Sequence, residues 1–229
     1  MVLAQAGTYE RITLVGDWKQ LPPYVARSVK DPGSIMDWAQ SISKSNFAIP
    51  VTFLSHQYRM VKPIGDMVSN IFYEGWLTHN RSAFKKHHIF FHNIGGFHTN
   101  FRGSASLYSK DDTSRCLRIH KQYQKTCEQR SQSIQILTFY TAQGNDVRKK
   151  NSDIMVSSVD AFQGREADVV ILSLSARKIK LNNFMIDPRR ICVALSRARN
   201  DLHIVGHRIT MKQSPLWREI LKYCYKINN

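Results

Sequence analysis

The chain has 229 residues, 42% hydrophobic and 22% charged, an ordinary globular mix that is long enough to bury a core. No apolar run approaches 18 residues and no signal-peptide pattern opens the chain, so no membrane span is expected and a soluble cytoplasmic or nuclear protein is. The formal net charge is +16, and it is unevenly placed: residues 1–80 carry 7 Lys/Arg against 6 Asp/Glu, residues 81–229 carry 26 against 11. A folded domain with that excess attracts polyanions, nucleic acid first among them, and a merely solubilising basic surface is the competing reading.

Along the chain, Arg11–Val15 reads as a short buried parallel strand ending in Gly16-Asp17, and Pro22-Pro23 stops any helix there. Asp31-Pro32-Gly33 is a turn signal, and Ser34–Ser41 a short helix. Val61–Tyr73 is predicted helical, with Pro63 in its first turn, Ile64, Met67, Val68, Ile71 and Phe72 on one face and Gly75 past its end. Ile89–His92 is a candidate strand and Gly95–Ser106 a loop. Asp112 is placed to cap a helix from Thr113 to about Lys125. From Ile134 the pattern alternates: strand Ile134–Phe139, helix Thr141–Lys149, strands Ile154–Val159 and Val169–Leu174, helix Arg189–Arg199, strand Leu202–Val205 and a terminal amphipathic helix Pro215–Ile227. Such alternation predicts an α/β fold, a parallel sheet covered by helices on both faces.

Cys116, Cys127, Cys192 and Cys224 form no C-x-x-C pair, and His87-His88 reads as a surface pair, so no metal site is expected.

Four blocks carry chemistry. In Gly16-Asp17-x-x-Gln20-Leu21-Pro22-Pro23, Asp17 can join a phosphate–metal network and the Gln20 amide can donate to a γ-phosphate; an ordinary Asp/Pro turn explains the same residues. In Gln57-Tyr58-Arg59-Met60, Arg59 can pair with phosphate across a cleft or serve as a helix-entry salt bridge. In Val159-Asp160-Ala161-Phe162-Gln163-Gly164-Arg165-Glu166, Gln163 and Glu166 can bond ribose hydroxyls, and Gly164 lets backbone approach a ligand. Val193-Ala194-Leu195-Ser196-Arg197-Ala198-Arg199 would set Arg197 and Arg199 on a helix, one of them as an arginine finger. Arg189 and Arg190 at that helix's start oppose its dipole, which points to an anionic partner unless Asp187 offsets them. Thr138-Phe139-Tyr140-Thr141-Ala142-Gln143 ends a strand and opens a helix, a setting that suits a nucleic-acid phosphate.

Together these blocks resemble motifs III to VI of superfamily 1 helicases, nearest the up-frameshift (nonsense-mediated decay) and NFX-type zinc-finger group. The resemblance runs from about residue 8 to 207. It implies a RecA-like fold of the P-loop NTPase type, with residues 1–50 a remnant of a first RecA-like domain and residues 51–229 the second. It implies ATP with Mg²⁺ as cofactors of the complete protein, bound between the two domains. Single-stranded RNA or DNA and the N-terminal RecA-like domain are the implied partners, and RNA surveillance the implied setting. Residue by residue, Gln20, Arg59 and Arg197 would be catalytic. Asp17, Gly164, Glu166 and Arg199 would line the nucleotide. Thr138, Tyr140, Gln143, Ser158 and Gln163 would face the strand. The family's N-x-x-E-A block appears only as Ser109-Lys110-Asp111-Asp112-Thr113, a departure. No G-x-x-x-x-G-K-[ST] phosphate loop and no D-E-A-x-Q magnesium block occurs, so the isolated chain is expected not to hydrolyse ATP. An ATP-independent nucleic-acid-binding module, or a regulatory one that donates Arg197 to a partner, is the alternative.

Overall fold

A computed structural model describes residues 13–22, 34–43, 50–95, 106–175, 181 and 183–227, with the backbone of Thr99–Asn100. The chain divides into two compact units, Met1–Thr52 and Phe53–Asn229.

In the first unit the described residues form one helix, α1 (Ile35–Ser43), whose first turn is capped by Ser34 Oγ. Thr13, Leu14 and Val15 take no strand conformation, and Val15 is 86% exposed. The expected buried strand is therefore corrected over these residues. An extended segment becomes a strand only by pairing, and no ladder is formed by them. Arg11, Ile12 and the Asp31-Pro32-Gly33 turn lie outside the described residues.

The second unit runs β1 (His56–Gln57), α2 (Lys62–Phe72), β2 (Thr78–His79), β3 (Ile89–Asn93), β4 (Thr99–Asn100), β5 (Leu107–Tyr108), α3 (Lys110–Gln129), β6 (Ile134–Thr138) and α4 (Thr141–Lys150). It continues through β7 (Val156–Ser158), a 3₁₀ turn at Asp160–Phe162, β8 (Ala167–Ser173), α5 (Asn183–Ile186), α6 (Pro188–Leu195), β9 (Ala198–Gly206), α7 (Arg208–Met211), α8 (Pro215–Tyr223) and β10 (Tyr225–Ile227). Six strands make one all-parallel sheet, in the order β10-β3-β9-β8-β6-β7. β8 at its centre is an almost unbroken apolar run, because both its faces are covered. Ile136, Ile171 and Val205 pack with Cys116, Ile119 and Val147 of α3 and α4. α2, α6 and α8 pack together as a second helical group.

The caps explain most helix limits. Pro63 enters the first turn of α2, and Glu74 and Gly75, both at positive φ, carry the chain away just beyond its end. α3 starts at Ser109, whose Oγ accepts from Asp112 N at 3.2 Å. Asp112 is thus not the cap. It is wholly buried, and its carboxylate accepts from Ser173 Oγ at 3.2 Å and Ser175 N at 3.1 Å.

Four further expectations are corrected. The helix expected over Arg189–Arg199 ends at Leu195, and Arg199 lies on β9. Ala167 N donates to Arg197 O and Ala198 pairs with Ala167, so the β8 ladder claims these residues before a helix can. The terminal helix ends at Tyr223, and Tyr225–Ile227 add the edge strand β10 beside β3. His87-His88 is no surface pair: His88 is 1% exposed, its Nδ1 set against Asn200 O at 2.8 Å, while His87 stacks on Tyr225. Part of the expected 95–106 loop pairs as β4 with β5.

All four cysteines are free thiols and buried. His92 on β3 and His203 on β9 are buried too, with His92 Nε2 at 2.9 Å from His203 Nδ1. Among the described residues no helix is long and apolar enough to cross a membrane.

Candidate nucleotide cleft and strand-facing edge

The loop before α2 is built around one amide. Gln57 Oε1 accepts from Met60 N at 2.8 Å and its Nε2 donates to Met60 O at 2.9 Å. Met60 and Val61 are buried, so the clamp turns the two residues between outward. Tyr58 is 69% exposed, its ring edge-on to His56, and Arg59 reaches toward the sheet. Val61 N donates to Arg199 O at 2.9 Å, and Arg81 ties Arg59 O to Asn200 Oδ1. The start of β9 therefore holds this loop in place.

Two arginines meet on one carboxylate. Arg59 Nε lies 2.6 Å from Glu166 Oε2 and Arg199 Nη1 lies 3.3 Å from Glu166 Oε1. Arg59 Nη1 also donates to Ser196 O at 3.2 Å, and Arg199 Nε lies 3.7 Å from Asp168. Gln57, Tyr58, Arg59, Met60 and Glu166 line an open cleft of about 410 Å³. Gly164 has φ +81°, with open space where a Cβ would sit, so the left-handed turn is what calls for glycine. That turn brings Glu166 to the edge of the sheet where β8 and β9 begin.

Arg197 does not project. It is 2% exposed, and its guanidinium donates to Val193 O at 3.1 Å, Arg165 O at 3.2 Å and Ser196 Oγ at 3.1 Å. An arginine finger must reach solvent, so in this arrangement the expectation for Arg197 is corrected: it clamps the turn between α6 and β9. Arg190 likewise faces no free anion site. Asp187 caps α6 and pairs with Arg190 at 3.1 Å, and Asp160 pairs with it at 2.8 Å.

At the opposite, carboxyl edge of the sheet, Thr138 is buried and donates to Tyr140 O at 3.1 Å. Gln143 is fully buried. Its Oε1 accepts from Ser109 N at 2.7 Å and Ser175 Oγ at 2.8 Å, and its Nε2 donates to Thr113 Oγ1 at 2.8 Å. Direct contact of Thr138 or Gln143 with a strand is therefore corrected, since their polar atoms are spent holding β6, α3, α4 and the end of β8 together. Tyr140 is 8% exposed with its ring tilted against Phe184. Ser158 Oγ accepts from Ala161 N, whereas Gln163 is exposed.

In the first unit, Gln20 Nε2 donates to Asp17 Oδ2 at 2.7 Å, and Lys19 N to Asp17 Oδ1 at 2.9 Å. Tyr58, Arg81, Asp168 and Asn200 were not anticipated as site residues. Tyr58 was legible as the aromatic between a clamp glutamine and a phosphate-type arginine, while Arg81 and Asn200 left no local signal.

The all-parallel sheet covered by helices on both faces is an α/β fold of RecA-like type, with paired arginines at one edge and a hydroxyl- and amide-rich network at the other. The chain belongs to the AAA domain family, whose model matches residues 37–209, and within it to the up-frameshift branch of superfamily 1 helicases. It is 29% identical to the regulator of nonsense transcripts 1 homolog of Neurospora crassa, over 93% of this chain and 22% of that protein. It is 30% identical to regulator of nonsense transcripts 1 of Dictyostelium discoideum, over 93% and 18%. It is 28% identical to the ATP-dependent helicase NAM7 of Saccharomyces cerevisiae, over 93% and 24%. The chain thus spans about a fifth of the length of the curated relatives it matches.

Proposed function

We propose that the chain supplies one wall of the ATP cleft of a translocase on single-stranded nucleic acid. The observation that carries this reading is the convergence of Arg59 and Arg199 on Glu166 beside the exposed ring of Tyr58. Arg59 and Arg199 share Glu166, with Asp168 3.7 Å from Arg199, and both guanidiniums can exchange these carboxylates for nucleotide phosphates through charge-assisted bonds. Glu166 keeps both groups aligned until phosphate takes over as their partner, and its freed oxygen can accept from a ribose hydroxyl. Tyr58 offers a face on which a base can stack. Gln20, held by Asp17, would report on the γ-phosphate, and residues 1–50 would belong to the domain that carries it. Arg197 acts here as a positioning residue for the turn that ends at Arg199. ATP, when bound, supplies the phosphoryl group whose transfer drives stepping. These residues fit its phosphates, but no described group of three or more His, Cys, Asp or Glu could hold Mg²⁺, so no residue of the chain is assigned to the metal.

The charge of residues 81–229, 26 basic against 11 acidic, favours a second reading, a nucleic-acid module indifferent to ATP. Titration with a fluorescent ATP analogue separates the two. The cleft reading expects weak binding that falls about tenfold or more in Arg59→Ala and in Arg199→Ala. Equal binding by wild type and both variants would sink it. The sequence contains no phosphate loop, so the isolated chain is expected to bind without turning ATP over.

A further inference from the structure

α3 turns Cys116, Ile119 and Cys127 inward and leaves a basic stripe on its other face. Lys110, Arg118, Lys121 and Lys125 are exposed there, with Arg115 half-buried beside them. At roughly 100° per residue the four exposed cations share about 80° of arc, and Lys110 to Lys125 covers about 22 Å of helix axis. Among the described residues none of the five side chains makes a salt bridge or side-chain hydrogen bond. Of the three acids of the helix, Asp112 is buried on Ser173 and Ser175, while Asp111 beside Lys110 and Glu128 three residues beyond Lys125 offset only part of the stripe, which keeps a surplus of cations. Arg115–Arg118, Arg118–Lys121 and Lys121–Lys125 stand three or four residues apart, spacings at which like charges destabilise a helix. Burial first, and then Arg118, loosens the proton of Arg115. A helix face that keeps this surplus of positive charge is arranged for an external polyanion.

The stripe also has a definite origin. Ser109, the cap of α3, is bonded to Gln143, and Asp112 to the end of β8, so α3 starts at the carboxyl edge of the sheet. We infer that the solvent face of α3 is a phosphate track for single-stranded nucleic acid, taking the strand from the carboxyl edge along the helix. Lysine and arginine ends on a smooth helical face read phosphates and not bases, so the contact is independent of sequence. This proposal rests on the nucleic-acid reading given above.

The test is fluorescence anisotropy of a labelled uridine 20-mer with the 229-residue chain, from roughly 50 to 300 mM KCl. The variant R118Q/K121Q/K125Q is compared with K212Q/R218Q/K222Q, which removes the same charge near α7 and α8. The α3 variant should lose about tenfold or more in affinity and about 2 units of salt slope, at ~0.7 per lost phosphate contact. The control should keep the wild-type slope. Equal losses in both variants, or an unchanged slope in the α3 variant, would overturn the track, as would competition by polyglutamate matching unlabelled oligonucleotide. A wild-type chain that ignores the 20-mer would overturn the nucleic-acid reading itself. Acetylation of Lys121 and Lys125 in the wild type provides a measurement free of any folding defect: the oligonucleotide should protect both, and failure to protect either counts against the proposal.

Discussion

Arg197 satisfies the carbonyls of Val193 and Arg165 and the hydroxyl of Ser196 from a site almost closed to solvent. Replacing it with alanine strands those acceptors and opens a cavity. The expected cost is about 2–4 kcal/mol, read as a fall in the urea midpoint. Arg199→Ala, partly exposed and paired with Glu166, should cost less than about 1 kcal/mol while weakening ATP binding. If Arg197→Ala were as stable as wild type, its clamp role would be wrong and a finger role would regain its place. A residue name within a motif states a chemical capacity, and only the backbone around it says which way that capacity faces.

His92 and His203 bring adjacent strands into one titration. Burial, and then Arg115, lowers His92 to about 4, and burial with His92 and Lys85 takes His203 well below its ordinary value. Both are neutral in the fold, while the unfolded chain takes up protons near pH 6.5. Stability is therefore full above that pH and falls as pH drops from about 6.5 toward 4, by roughly 3 kcal/mol from His92. Urea midpoints at pH 7 and 4.5 check this, and His92→Leu should flatten the difference. An undiminished pH dependence in that variant would place its cause elsewhere. Elements of this kind were the part of the fold most open to sequence reading. β6, α4 and β8 follow from apolar runs and a charged last turn, because local pattern and burial agree there. The errors fell where long-range pairing overrode local preference. Arg197–Arg199 reads as helix by composition and is drawn into the ladder by Ala167, and Tyr225–Ile227 continues an amphipathic pattern but finds the edge of β3. Arg59 and Glu166 stand out in the sequence as separate candidates, and their pairing at 2.6 Å has no local signal. The buried network of Gln143 has none either, since nothing local tells an amide aimed at solvent from one spent on Ser109, Thr113 and Ser175.

On the scale of the whole molecule, charge and core are separated: the second unit buries apolar strands on both faces of one sheet and leaves its surplus cations on helical surfaces. The same depth of burial encloses every cysteine. Cys116, Cys127 and Cys224 hold their protons above the usual thiol range because burial disfavours the thiolate, Cys224 to about 12. A thiol reagent acts only on exposed thiolate, so the native chain is expected to be silent to aromatic disulfide reagents at neutral pH and to release four equivalents of chromophore once unfolded. Immediate reaction of any cysteine in the native state would contradict the burial of these thiols. Between those limits the rate of colour development is a clock for opening of the domain. The protein thus carries an intrinsic gauge of its own breathing, usable without a label while ATP or nucleic acid is added.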